Sequence, residues 1–125
     1  MLLRRTLLVN GVATAMTGIG ALVGAPWLPA ILGPTPPAVL AIVGAGLVVF
    51  AGVLLRQARR VRIDPRVAWT IAGLDIAWVL GSVALVEIGI LTLVGNVVVA
   101  AVAVVVLVFA VLEVRGARRL RTADV

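Results

Sequence analysis

Apolar residues gather into four long runs along the chain, over 6–25, 37–55, 67–89 and 96–114, each interrupted by few polar side chains. A transmembrane helix needs about 20 mostly apolar residues, and all four runs reach or approach that length. Continuous runs predict helices, because the strands of a membrane barrel alternate apolar and polar positions over about 10 residues. The connections agree with those boundaries. Between the first two runs Pro26, Pro29, Pro34 and Pro36 cannot continue a helix, whereas Pro37 suits the first position of the second one. Trp27 and Leu28 in that connection fit a lipid–water boundary. A short turn at 91–95 joins the last two runs, with Asn96 placed to cap the fourth helix.

Composition changes the picture by exclusion. The chain has 125 residues, 63% of them hydrophobic and 13% charged, with a mean hydropathy of +1.26. A soluble domain runs at about 45–50% apolar and about 25% charged, and disorder requires low hydrophobicity, so an integral membrane protein remains. There is no Cys, His, Tyr or Lys, and Ser82 is the only serine. Thiolate chemistry, histidine general bases and the usual zinc and haem ligands are therefore absent. Ser82 has no His or Lys to take its proton. Catalysis would rest on Asp64, Asp75, Glu87, Glu113, Asp124 and arginines, whose spacing resembles neither a metal site nor an acid/base cluster. The expectation is no enzyme and no cofactor.

The net charge of +6 comes from eleven arginines. In a soluble domain it would suggest nucleic acid, but beside apolar spans it sets topology and meets anionic headgroups; no nucleic-acid partner is expected. Arg4 and Arg5 precede the first run. Arg56, Arg59, Arg60, Arg62 and Arg66 lie between the second and third, and Arg115, Arg118, Arg119 and Arg121 follow the fourth. The two other connections carry no basic residue. The positive-inside rule then puts both termini and the middle loop in the cytoplasm. Arg4-Arg5, an apolar run and Val23-Gly24-Ala25 also imitate a cleavable signal peptide. Pro26 directly after the small residues, and a run longer than an ordinary signal core, argue that the segment is retained as the first span.

Aligning each residue with the one 59 positions later brings Val49-Phe50-Ala51 over Val108-Phe109-Ala110 and sets four arginines in register, Arg56, Arg59, Arg60 and Arg62 over Arg115, Arg118, Arg119 and Arg121. Both phenylalanines of the chain coincide. Valine and alanine match cheaply in any span, but the arginine and phenylalanine register favours a duplicated hairpin, about 1–62 and 63–121. Two tandem hairpins would be parallel copies about an axis along the membrane normal. The fold class expected is thus an all-α membrane protein, a single four-helix transmembrane bundle of two tandem hairpins with cytoplasmic termini.

Ionisable residues inside a bilayer cost about 2.5–3.5 kcal/mol at a helix centre and usually face the bundle interior. Asp75 lies roughly 12 Å into its span from the arginine side at about 1.5 Å per residue, with Ser82 on nearly the same face and Trp78 beside them. Asn10, Thr14 and Thr17 make a matching stripe on the first span. Asp75 is expected to point at Asn10 and Thr14, giving the candidate polar cluster Asn10, Thr14, Asp75, Trp78 and Ser82. Helix packing is its plain role and a proton or cation site the sharper one. Glu87 is expected at headgroup level near the far end of the third span. Glu113, beside Arg115, reads as an ion-paired boundary residue, and Asp64 belongs to the basic loop. Gly20 with Gly24, and Gly11 with Gly18, read as close-approach positions.

From Asp75 the chain reads Asp75-Ile-Ala-Trp78-Val-Leu-Gly81-Ser82, and Asn10-Gly11 follows Arg4-Arg5. This resembles a group of small bacterial four-span membrane proteins in which a similar D-x-x-W-x-x-G-S stretch opens the third helix. The resemblance implies the architecture and a bacterial inner membrane, and no activity. Small multidrug transporters resemble the chain in length but carry a central glutamate in the first helix, where this chain has no acid. Fluoride-channel proteins resemble it in size without sharing its polar track, and disulfide-forming quinone reductases need cysteines. The expected function is a structural or accessory subunit of a membrane assembly. Its Arg56, Arg59, Arg60, Arg62, Arg115, Arg118, Arg119 and Arg121 would meet anionic lipid or a partner, in a homo-oligomer or a larger complex. The alternative is a small oligomeric transporter or channel using Asp75, and a lipid-surface enzyme using Glu113 or Asp64 is weaker still.

Overall fold

The computed structural model describes residues 2–123, with side chains through residue 119. Every described regular element is helical: α1 (Leu2–Gly24), a short α2 (Leu28–Leu32), α3 (Pro37–Arg59), α4 (Pro65–Ile88) and α5 (Leu93–Ala123). The four long helices are each long and apolar enough to cross a membrane. They overrun the apolar segments at the arginine end, α1 starting at Leu2, α3 running through Arg59 and α5 through Ala123. Arginine, leucine and alanine are strong helix formers. The backbone ladder therefore continues where hydropathy falls off.

Local chemistry fixes the ends. α1 stops before Pro26, and the Trp27 amide turns back to the Gly24 carbonyl at 2.9 Å. α2 tolerates Pro29 in its first turn, where the missing N–H is unpaired anyway, and Gly33 ends it at φ +141°, a conformation open to glycine. Asp64 caps α4, its carboxylate accepting the Arg66 amide at 2.9 Å ahead of Pro65. Gly89 closes α4 in the left-handed region at φ +76°. The cap of α5 differs from expectation. Thr92, not Asn96, takes that place, its hydroxyl accepting the Gly95 amide at 3.0 Å and donating to the Ile31 carbonyl at 2.6 Å. Asn96 already lies inside the helix. The Thr92 amide also donates to the Leu32 carbonyl at 2.9 Å, so one residue starts α5 and ties α2 to it.

α1 packs along α3 and α4 along α5, and the two hairpins meet chiefly between α1 and α5. Gly18 and Gly44 make the α1–α3 crossing. A Cβ on Gly18 would lie 2.8 Å from the Gly44 carbonyl oxygen, and one on Gly44 2.7 Å from that of Gly18. Gly11 is also held against α3, at Leu55, whereas a Cβ on Gly20 meets open space. The five buried positions of α3 (Gly44, Ala51, Leu54, Gln57, Ala58) and five buried positions of α5 (Ala103, Ala110, Glu113, Gly116, Ala117) stand 59 residues apart. Leu3, Thr6, Leu7 and Asn10 of α1 match Ala68, Ile71, Ala72 and Asp75 of α4 at a different offset, 65 residues.

The hydrophobic core is not central. Leu3, Leu7, Leu54, Ala58, Ile63, Ala68, Ile71 and Ala117 form it, all toward the arginine end, with Phe50 and Val67 packed against it. Arg4 closes that end: its guanidinium donates to the carbonyls of Ala58, Arg60 (2.7 Å) and Val61 (3.3 Å), the unpaired acceptors at the C-terminus of α3. Large apolar side chains on the outside, Ile42, Val49 and Leu80 among them, are exposed as lipid-facing positions are.

Candidate functional site

Where the core ends, three helices contribute one polar side chain each. Asn10 of α1, Asp75 of α4 and Glu113 of α5 are 1%, 4% and 0% exposed. The Asn10 amide nitrogen donates to Asp75 Oδ2 at 2.9 Å and to Glu113 Oε2 at 3.3 Å. Its oxygen accepts the Thr14 hydroxyl at 2.9 Å, one turn along α1. An ionised carboxylate only accepts, so the nitrogen must face the two acids and the oxygen the hydroxyl. Both N–H groups are thereby used. Glu113 Oε1 is buried and has no hydrogen-bond partner.

The structure corrects the placement of Glu113. It was expected at the boundary beside Arg115, yet it is fully buried and shares the Asn10 amide with Asp75. Two residues of helix are about 200° of rotation, so the side chain on one face of α5 and Arg115 on the other point apart. Its neighbours on its own face are Ala110 and Ala117, both buried, and their small side chains let α5 approach α1 and α4.

The other expected members take different places. Thr14 reaches Asp75 only through Asn10. Ser82 is buried but donates within α4 to the Trp78 carbonyl at 2.8 Å, and Thr17 donates to the Ala13 carbonyl at 2.8 Å, so both satisfy themselves inside their helices. The indole Nε1 of Trp78 is buried without a partner. Arg56, Arg59, Arg60, Arg62, Arg115, Arg118 and Arg119 are all exposed, and the Arg121 side chain, like Asp124, lies outside the described residues. Glu87 is exposed one residue before the end of α4.

Beyond the polar cluster, away from the arginine end, the helices line an open-sided cavity of about 460 Å³. Asn10, Thr14, Thr17 and Asp75 form its polar part. Phe50, Phe109 and Trp78 supply aromatic surface, and the remaining lining is aliphatic. Chemically the site is thus two carboxyl groups bridged by one amide, Asp75 lining an apolar chamber and Glu113 buried outside that lining. Like charges this close in a low-dielectric medium repel strongly, so a proton or another cation must balance the pair. Among the described residues no group of three His, Cys, Asp or Glu side chains is arranged to hold a metal ion.

No family model, no curated protein and no solved structure matches the chain.

Proposed function

We propose that the chain is a small multi-pass transporter or channel of a bacterial inner membrane, in which Asp75 and Glu113 take up a proton or another cation within the bilayer. The observation that carries this reading is the pair of buried carboxyl groups on a single amide, one of which, Asp75, lines the cavity. One acid bonded to one asparagine would suffice to lock two helices, since interhelical hydrogen bonds in membranes bring on average only about 0.6 kcal/mol. A second intramembrane acid adds an insertion cost of about 2.5 kcal/mol or more and leaves Glu113 Oε1 unpaired. Packing gains nothing from that arrangement; exchange of a cation does.

The distribution of arginines supports an orientation with both chain ends and the 60–64 loop in the cytoplasm, and the 59-residue spacing of buried positions supports a duplicated hairpin. Val61 is 95% exposed in that loop and the chain has no native cysteine. With Val61→Cys as the only thiol, an impermeant maleimide is expected to label opened membranes and leave intact cells unlabelled. Labelling of intact cells would reverse the topology.

Flux tests the function itself. Protein reconstituted in liposomes under an imposed membrane potential is expected to conduct protons or a supplied cation, with Asp75→Asn and Glu113→Gln each lowering the rate about tenfold or more, a barrier of about 1.4 kcal/mol. Unchanged flux in variants that keep the wild-type helicity and melting behaviour would discard this reading. It would leave the second one, a structural or accessory subunit, which the exposed arginines favour: Arg115 and Arg118 stand at the end of an apolar groove between α4 and α5 that suits an anionic lipid.

A further inference from the structure

The proposed cation site says nothing yet about which cation it takes, and the chamber above it narrows the choice. We infer that the cavity binds a lipophilic ammonium ion, its charged nitrogen against Asp75, which Asn10 joins to the buried Glu113, and its hydrocarbon groups against Phe50, Phe109 and Trp78. This inference rests on the transport reading and adds its substrate class.

Three properties of the chamber lead there. Its volume of about 460 Å³ falls in the range of small-molecule sites, about 300–1,000 Å³, far beyond the needs of a proton. The walls are apolar apart from Asn10, Thr14, Thr17 and Asp75, and those four are already engaged: Asn10 with both acids and Thr14, Thr17 with its own helix. A divalent ion stripped of water wants six or more oxygens, and such walls cannot replace a hydration shell. An alkylammonium ion is weakly hydrated, and its hydrocarbon surface gains from burial against aliphatic and aromatic side chains. Aromatic faces add to this, since a cation over a Phe or Trp ring is held by the ring quadrupole.

The charge at Asp75 also separates this occupant from the obvious rival. A lipid acyl chain would fill the apolar volume equally well. It brings no charge to Asp75, the one ionisable residue of the lining. An anion would be repelled outright. A molecule that is both cationic and apolar matches the carboxylate and the walls together.

The probe is benzyltriethylammonium, with its uncharged isostere, in which the quaternary nitrogen is replaced by carbon, as the comparison. Binding is read from quenching of Trp78 as the only tryptophan, in a Trp27→Phe, Trp69→Phe background, in nanodiscs of zwitterionic lipid. The ammonium is expected to bind about tenfold or more tightly than the isostere, a difference of about 1.4 kcal/mol, and to lose that advantage in Asp75→Asn. Val106→Phe, which adds bulk at the chamber wall and no second tryptophan, is expected to weaken binding about tenfold at unchanged helicity. Equal affinity for ammonium and isostere would overturn the inference and identify an acyl-chain cavity. So would binding that survives Val106→Phe, which places the probe elsewhere. If the probe fails to bind while carboxyl-dependent proton flux persists, the substrate class falls and the transport reading stands; loss of both removes the two together.

Discussion

Asn10→Leu is expected to destabilise the bundle by about 2 kcal/mol, and adding Asp75→Leu and Glu113→Leu to it is expected to recover most of that loss. The asymmetry follows from what each variant leaves behind. Removing the amide alone strands two buried carboxyl groups, each of which then meets the desolvation cost of an unsatisfied polar group, about 1–3 kcal/mol before relaxation. Membrane hydrogen bonds measure at the low end of such ranges because the unfolded chain also finds partners in the bilayer. Removing all three replaces the network with side chains that need no partner, as when a buried ionic group gives way to apolar residues at little cost. Unfolding midpoints in mixed detergent, followed by circular dichroism, measure the comparison. A triple variant less stable than Asn10→Leu would show that the network contributes net stability and would return the cluster to a packing role. A triple variant near wild type, inactive in flux, would separate the function of these residues from the fold.

Much of the architecture was legible because its physics is local or averaged. Twenty apolar residues in a row have no satisfactory place except a bilayer or a large core, so the four spanning helices follow from hydropathy. The prolines between α1 and α3 mark their break directly. What escaped depends on finer balances. α2 is a single turn in the proline-rich connection, held by the Leu32 carbonyl accepting the Thr92 amide, a contact between residues 60 apart in sequence. The cap of α5 was read at Asn96, the better capping residue by type, but Thr92 sits where the backbone turns and has a second partner in the Ile31 carbonyl.

Glu113 was the consequential miss, and a signal for it was present. Its proximity in sequence to Arg115 suggested an ion pair, yet helix geometry sets positions two apart on opposite faces. The alanines at 110 and 117, three before and four after it, already mark its face as the packed one. The 59-residue register carries the same message, since residue 54, 59 positions earlier, is a leucine at 0% exposure. An acid standing where the other hairpin buries a leucine belongs to the interior. Asn10 and Asp75, by contrast, were found as a pair because each is an isolated polar residue at matching depth, and depth is read directly from helical rise.

Glycines divide the same way, and the division supplies the sharpest test of the α1–α3 crossing. Gly44→Ala is expected to destabilise the protein by about 2–3 kcal/mol, in the overpacking range, while Gly46→Ala, two residues along the same helix, is expected to stabilise it by about 0.5 kcal/mol. At Gly44 the added methyl would meet the Gly18 carbonyl oxygen at 2.7 Å and the Leu22 amide nitrogen at 3.0 Å. Both are backbone atoms, so no rotamer change relieves the contact and the helices must move apart. Separation would loosen Leu54 and Leu55 against Gly11 as well, since dispersion falls off within an ångström of the optimum. At Gly46 a Cβ meets nothing within 4 Å, and alanine simply restricts the unfolded chain and favours the helix. Thermal or detergent unfolding of the two variants side by side measures this. Equal effects would mean that α1 and α3 do not cross at Gly18 and Gly44. The polar cluster depends on that crossing: α1 holds Asn10 two turns from it, so Gly44→Ala should also weaken the flux attributed to Asp75 and Glu113, where Gly46→Ala leaves it unchanged.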